Sequence, residues 1–184
     1  SWKYLGEEFD IHGGGQDLLF PHHENEVAQS CCAFPGSHFA HYWMHNGMLR
    51  VNGEKMSKSL GNFLTVRDIL ANGPWAGEAF RLLLLRTHYR SEIDYTQERL
   101  EEAKRELDDF YALLARIPPD AEVDEDQAAR LAAWAVEPLA DDLNTPLALA
   151  RLRDLRTLAN TGAVGGSATV VLGRVGLSEA PAPG

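Results

Sequence analysis

Between Thr96 and Ile117 the apolar residues Leu100, Ala103, Leu107, Phe110, Leu114 and Ile117 recur in steps of 3, 4, 3, 4 and 3. On a helix that spacing lines all six along one stripe, whereas a strand would scatter them over both faces. The stripe therefore specifies a long helix and, since an apolar stripe has to be covered, it also demands neighbours. The sequence supplies them downstream. A second helix is predicted over 126–139, ending near Pro138, and a third opens at Thr145-Pro146, where Thr caps and Pro suits the first turn. This third helix carries Leu149, Leu152, Leu155 and Ala159 and runs out at Gly162–Gly166. Residues 167–177 are expected to add one short helix before a frayed tail, Ala180–Gly184. Three or four amphipathic helices make a small bundle, so residues 91–184 are predicted to be helical throughout.

Residues 1–90 follow another pattern. Phe9-Asp10-Ile11-His12 reads as a short strand that stops at Gly13-Gly14-Gly15, expected to form a flexible loop. Pro21 is expected to open a helix through Gln29, Gly47–Val51 to form a strand closed by an Asn52-Gly53 turn, and Glu78–Thr87 to form a buried helix. No internal repeat is present.

Charge separates the halves further. The sequence holds 17 Lys and Arg against 27 Asp and Glu, a net charge of −10. Residues 1–90 are nearly balanced, 8 against 9, and hold all 7 histidines, whereas residues 91–184 hold 9 against 18. That balance argues against a general nucleic-acid binder. Apolar residues at 45% and charged residues at 24% are the proportions of a folded chain. No run approaches the roughly 18 apolar residues of a membrane span, and Ser1-Trp2-Lys3-Tyr4 lacks the layout of a signal peptide, so no membrane association is expected. With no Met at position 1, Ser1 reads as a processed or truncated start. Cys31 and Cys32 are adjacent and form neither a disulfide framework nor a C-x-x-C pair. They are expected to be small buried residues of a protein in a reducing cytosol.

Three segments of the first half carry chemistry. Asp10-Ile11-His12-Gly13-Gly14-Gly15-Gln16-Asp17 places glycines after a strand, where a ligand can approach the backbone, and an Asp that can accept bonds from ribose hydroxyls; it also fits an ordinary turn. Pro21-His22-His23-Glu24-Asn25-Glu26 puts His22 and Glu26 four apart, on one helical face, where they can share a metal. The same segment fits a polar helix start with acids near the positive end of the dipole. Two ligands leave the usual four-coordinate zinc site half made. Lys55-Met56-Ser57-Lys58-Ser59, with Gly53 before it and Gly61-Asn62 after it, presents two lysines as movable point charges able to meet a polyphosphate. A loop of that kind can tighten on a leaving pyrophosphate as its charge grows.

Lys55-Met56-Ser57-Lys58-Ser59 resembles the second signature of class I aminoacyl-tRNA synthetases. Together with Phe9–Gly15, Phe20-Pro21-His22-His23-Glu24-Asn25-Glu26 and Leu60-Gly61-Asn62-Phe63, the resemblance narrows to the cysteinyl-tRNA synthetases. Tyr42-Trp43-Met44-His45, Thr87-His88-Tyr89-Arg90-Ser91 and Asp141-Asp142-Leu143-Asn144-Thr145-Pro146 extend it over nearly the whole chain. It implies an α/β remnant, the end of a class I nucleotide-binding domain with the lysine loop (1–90), followed by an all-α helical bundle on the tRNA and anticodon side (91–184), predominantly helical overall. It implies cytoplasmic, ATP-dependent activation of L-cysteine and transfer to tRNA(Cys), by an enzyme that is a monomer when intact. Zn²⁺ is its metal, with His22 and Glu26 falling on two of the four ligand positions, and ATP enters as substrate with Mg²⁺. Lys55 and Lys58 fall on the catalytic lysine loop. The ATP contacts implied are Lys58, Lys55, Gly14, Gly15, Asp17 and His12, with His12 and His23 lining the same pocket. His38, His41, His45 and His88 receive no role, and Arg151, Arg153 and Arg156 are the basic set that can meet tRNA phosphates or face solvent.

The family's His-x-Gly-His signature and its two zinc cysteines have no counterpart in this sequence. The chain is therefore expected to be the C-terminal part of such an enzyme, entering after the second of those cysteines, and to be inactive when isolated. Two alternatives stay open: a cysteine ligase of mycothiol synthesis, which uses an amino-sugar acceptor, and a non-catalytic truncated paralogue that binds tRNA or a partner.

Overall fold

The computed structural model describes residues 1–57, 59–116 and 123–162, together with Ser167, Val171 and Leu172. After a single helical turn, α1 (Trp2–Leu5), strand β1 (Phe9–Gly15) leads through tight turns into α2 (Glu24–Ala33) and back to β2 (Ala40–Asn46). β1 and β2 pair in parallel, with His12 opposite Trp43 and Gly14 opposite His45. A second small sheet has β3 (Leu49–Val51) at its centre, β4 (Glu54–Lys55) antiparallel on one side and β5 (Ile93–Tyr95) parallel on the other. Between β4 and β5 lie α3 (Val66–Leu70) and α4 (Ala76–Leu85). Helices α5 (Gln97–Leu114), α6 (Glu125–Val136) and α7 (Thr145–Thr161) complete an α/β part followed by a helical part.

Several expectations hold at the level of single residues. Asn52 and Gly53 take left-handed φ angles of 54° and 78° and close the β3–β4 hairpin, the twist that a two-residue turn requires. Helix α5 begins where the stripe does, with Thr96, not named in advance as a cap, accepting from the Arg99 N–H, and Gly162, with φ 73°, ends α7 in the left-handed conformation. Others shift. The three glycines continue β1 rather than leaving it as a loop, because their backbone is hydrogen-bonded along β2. Pro21 stands in a wide turn over Leu19–His23 after a cis Phe20–Pro21 bond, and the helix starts at Glu24. The cap of α7 is Asn144, whose Oδ1 accepts from the Leu147 N–H, so Thr145 is the first helical residue. The second half is not helical throughout: Ile93–Tyr95 form β5, held by β3. Cys32 is exposed and Cys31 half-buried. The expected helix over 167–177 and the tail lie outside the described residues, apart from Ser167, Val171 and Leu172.

Two apolar cores meet along α5. Leu100, Ala103 and Leu107 pack with Leu82 and Leu83 of α4 and with Val51 and Tyr95 of the second sheet. Phe110 and Leu113 turn instead toward Ala128, Ala135 and Leu155 of α6 and α7. Leu113 replaces Leu114 as the buried residue because each residue advances about 100° round the helix, and the second core lies on another side of it from the first. Ion pairs seal the polar flanks. Arg153 binds Glu106 at 2.5 Å, Arg156 binds Asp109 at 3.0 Å and Arg151 binds Glu137 at 2.8 Å. Tyr111 donates to Glu78 across the α4–α5 contact at 2.5 Å; burial, aided by that carboxylate, pushes its hydroxyl up to about 12.

Gly47, between β2 and β3, admits no side chain. A Cβ there would lie 2.0 Å from the Ser91 carbonyl oxygen, which is backbone and cannot rotate away. Gly47→Ala is expected to lower unfolding stability by about 1–3 kcal/mol, the usual cost of forced overpacking, read as a lower urea midpoint at unchanged slope.

Candidate functional site

The parallel pair β1–β2 builds the site on one face. Strand alternation sends His12 and Gly14 of β1 and Trp43 and His45 of β2 to the same side. There the turn ahead of α2 delivers His23, which is 4% exposed, and the first turn of α2 delivers Glu26. Gly14 is bare because the His23 ring lies on it: a Cβ would meet His23 Cε1 at 2.8 Å. The His12 ring packs on Trp43 at 4.8 Å between centroids and edge-on to His23 at 4.7 Å.

Three donor atoms, one each from His12, His23 and Glu26, lie within 4.8 Å of one another, near enough to face a single metal ion. Glu26 Oε2 is buried and accepts no hydrogen bond, although His12 Nε2 stands only 3.0 Å from it. A buried carboxylate oxygen left without a hydrogen bond is costly, and a cation satisfies it. The nitrogen and oxygen donors fit Zn²⁺ chemistry. His22 also reaches Glu26, Nε2 to Oε1 at 3.7 Å, as the four-residue spacing predicts, but it is largely exposed. Glu26 is thus the common member of both sets. Sequence reasoning left His45 without a role; its Nε2 shares a 2.9 Å hydrogen bond with His23 Nδ1 and so couples the tautomers of the two rings. The signal was available in the alternation Trp43-Met44-His45, once that segment is recognised as a strand. Burial first, then the neighbouring His12 and His45, holds the His23 imidazole below its ordinary range, which keeps it neutral and able to act as a ligand. A cleft of about 300 Å³ opens beside His23, lined also by Leu19, Val27, Trp43 and His45.

Glu26→Gln keeps the size of the side chain and removes the charge. It is expected to weaken Zn²⁺ binding to the chain by at least the 10- to 100-fold that loss of an outer-shell partner costs, measured by calorimetric titration.

The remaining predicted residues are placed as follows. Asp17 lies in the tight turn after β1 and folds its carboxylate over Gly15, where a Cβ would meet Oδ1 at 2.4 Å. Lys55 ends the exposed strand β4 and has no ion pair among the described residues. Lys58 lies outside the described residues. Around it the loop is tied by Asn62, whose side chain accepts from the Ser57 N–H at 2.8 Å and donates to the Lys55 carbonyl at 3.2 Å. Ser57 Oγ sits 3.2 Å from Ser59 Oγ, and Met56 packs against the first core. His12, Gly14, His23 and Glu26 are brought together; Lys55 stands apart from them on the second sheet. A cleft of about 290 Å³ between α4, β5 and α5 contains Arg86 and Arg99, but Arg86 faces Glu102 and Glu106, and Arg99 donates to the Asp94 carbonyl. Among the described residues no helix is long and apolar enough to cross a membrane.

Comparison with known proteins shows what the chain is similar to. The chain is 56% identical over 167 residues to a cysteine–tRNA ligase of Bradyrhizobium diazoefficiens, covering 91% of this chain and 34% of that protein. It is 59% identical over 162 residues to a cysteine–tRNA ligase of Granulibacter bethesdensis, covering 88% of this chain and 33% of that protein. The chain thus spans about a third of the length of these relatives. Its fold is similar to part of the LeuRS of Agrobacterium radiobacter K84 in a ternary complex with tRNA and LeuAMS, at a TM-score of 0.65 and 23% identity, over 91% of this chain and 25% of that one. Residues 1–105 match the tRNA synthetases class I (C) catalytic domain, and on that match, which takes in β1 through the first half of α5, the chain belongs to this synthetase family.

Proposed function

We propose that this chain supplies part of the activation site of a cysteine–tRNA ligase, in which the L-cysteine carboxylate attacks the α-phosphate of ATP to form cysteinyl-adenylate and release pyrophosphate, and the cysteinyl group then passes to tRNA(Cys) with release of AMP. The observation that carries this reading is the buried Glu26 Oε2, which accepts no hydrogen bond and is grouped with donor atoms of His12 and His23. Zn²⁺ held there, with Glu26 and with His12, His23 or His22, would bind the substrate as a thiolate and discriminate against a serine hydroxyl, a poorer ligand. The side chains of the protein do the rest. Gly14 and Gly15 make room for the His23 ring and the Asp17 carboxylate to lie on the strand, Asp17 is there to meet the ribose, and Lys55 and Lys58 serve the phosphates from the loop tied by Asn62.

The opposite face of β1–β2 supports a division of the site over a longer protein. Ile11 is 58% and Tyr42 69% exposed, though parallel strands are ordinarily covered on both faces. We propose that residues outside this sequence cover that face and bring the rest of the ATP and metal ligands. The division at residue 90 into a catalytic part and a tRNA-side part belongs to the same proposal. Arg151, Arg153 and Arg156 are each paired with an acid, so any contact of theirs with tRNA phosphates has to compete with Glu137, Glu106 and Asp109.

The test is cysteine-dependent ATP–pyrophosphate exchange, by the chain alone and after addition of the upstream portion of a relative. No exchange alone and exchange on complementation is the expected result. A folded, zinc-loaded and complemented sample that still fails would refute the reading. Exchange by the chain alone would show that these residues already assemble a complete activation site.

A further inference from the structure

The blocks Thr87–Ser91 and Asp141–Pro146 take no part in the chemistry above, yet they meet. Asp142 Oδ1 accepts from the Tyr89 hydroxyl at 2.7 Å and from Arg90 Nη2 at 3.1 Å, and its Oδ2 lies 2.9 Å from Arg90 Nε. Arg90 Nε also donates to the Tyr89 oxygen at 3.0 Å, and His88 Nε2 stands 3.8 Å from Asp142 Oδ2. The carboxylate is presented by unusual backbone. Asp142 and Leu143 are consecutive non-glycine residues in the left-handed region, at φ 49° and 55°. Such conformations persist where surrounding contacts over-determine them.

While its side chains go to Asp142, the backbone of the same loop holds the ends of the parallel strands. The Tyr89 carbonyl accepts from the Gly47 N–H at 2.7 Å, and the Arg90 carbonyl accepts from Gln16 Nε2 at 2.8 Å. Ser91 packs on Gly47 so closely that no side chain fits between them. Gln16 follows β1 and Gly47 follows β2, so both contacts fall at the carboxyl ends of the strands, the edge at which α/β sheets bind ligands.

We infer that Asp142 is a positioning residue: through Tyr89 and Arg90 it fixes the 88–91 loop across the ends of β1 and β2, and so ties the turn ahead of α7 to the edge of the candidate site. What that edge binds rests on the function proposed above. The mechanical link does not, and it is read without turnover.

The experiment is amide hydrogen exchange by NMR on the full chain, following the Gly47 N–H. Asp142→Gly is the informative variant, because glycine takes a positive φ without strain but has no carboxylate. It is expected to speed Gly47 exchange roughly tenfold, as loss of a charged hydrogen-bond acceptor would, while Leu107 in α5 and Leu155 in α7 change less than about twofold. Asp142→Asn, which tolerates the left-handed turn and still accepts from Tyr89, should fall between. Unchanged Gly47 protection in Asp142→Gly would show that Asp142 serves only its own turn and overturn the inference. A rise spread equally over Leu107 and Leu155 would overturn it too, as general destabilisation. Should Asp142→Gly fail to fold, Tyr89→Phe, which removes one hydroxyl, decides: faster exchange at Gly47 alone supports the link, and none refutes it.

Discussion

Lys58→Ala is expected to lower cysteine-dependent ATP–pyrophosphate exchange by the complemented protein about 10²- to 10³-fold, the scale on which a single preorganised transition-state contact is lost. Charge accumulates on the pyrophosphate as it leaves, so an ammonium that approaches at that moment lowers the barrier more than it strengthens ground-state binding. The loop is suited to that task. Asn62 clamps it at Ser57 and Lys55, and Met56 roots it in the first core, so among the described residues the loop is shaped by Asn62, Ser57 and Met56. The melting temperature should accordingly be unchanged. Lys58→Arg should recover only part of the rate, because a planar guanidinium does not replace a compact ammonium. An alanine variant within twofold of the parent would remove Lys58 from the reaction.

The second large effect is on stability. Leu100 is fully buried where α5 meets α4 and the second sheet, and Leu100→Ala should cost about 2–5 kcal/mol through lost transfer energy and the cavity left behind. Because that core draws on β3 and α4 as well as α5, protection should fall in Val51 and Leu83 together with the helix. Leu158→Ala, at a partly exposed position of α7, is the comparison and should cost clearly less than Leu100→Ala. Urea unfolding followed by circular dichroism separates the two. A Leu100→Ala midpoint indistinguishable from that of Leu158→Ala would mean that the first core is not where the described packing puts it.

Elements whose cause is local were legible in advance. Gly162 marks a helix end through its own φ, Asn52-Gly53 makes its hairpin turn, and the four-residue step from His22 to Glu26 brings those side chains near each other. The strands were harder to see. β2 carries His41, Tyr42, Trp43 and His45 in place of a clean apolar alternation, and β5 is three residues long and exists because β3 is beside it. Arg151, Arg153 and Arg156 look in sequence like a basic surface for phosphates. Their acids, Glu106 and Asp109 on α5 and Glu137 in the turn after α6, come close only when the helices pack.

The sequence by itself determined the long amphipathic helix, the Asn52-Gly53 turn, the Gly162 helix end, the lysine loop and the family, because each depends on residues within a turn or two of one another or on a contiguous signature. The tertiary structure alone decided which side chains make up the candidate site. His12 and Glu26 are brought together by packing α2 on β1, and His45 reaches His23 only through parallel pairing of two strands that are distant in sequence. Asp142 meets Tyr89 and Arg90 across more than fifty residues, through a left-handed turn whose partners no local pattern records. Side-chain periodicity carries information about faces; which faces meet is decided by how the elements bury them.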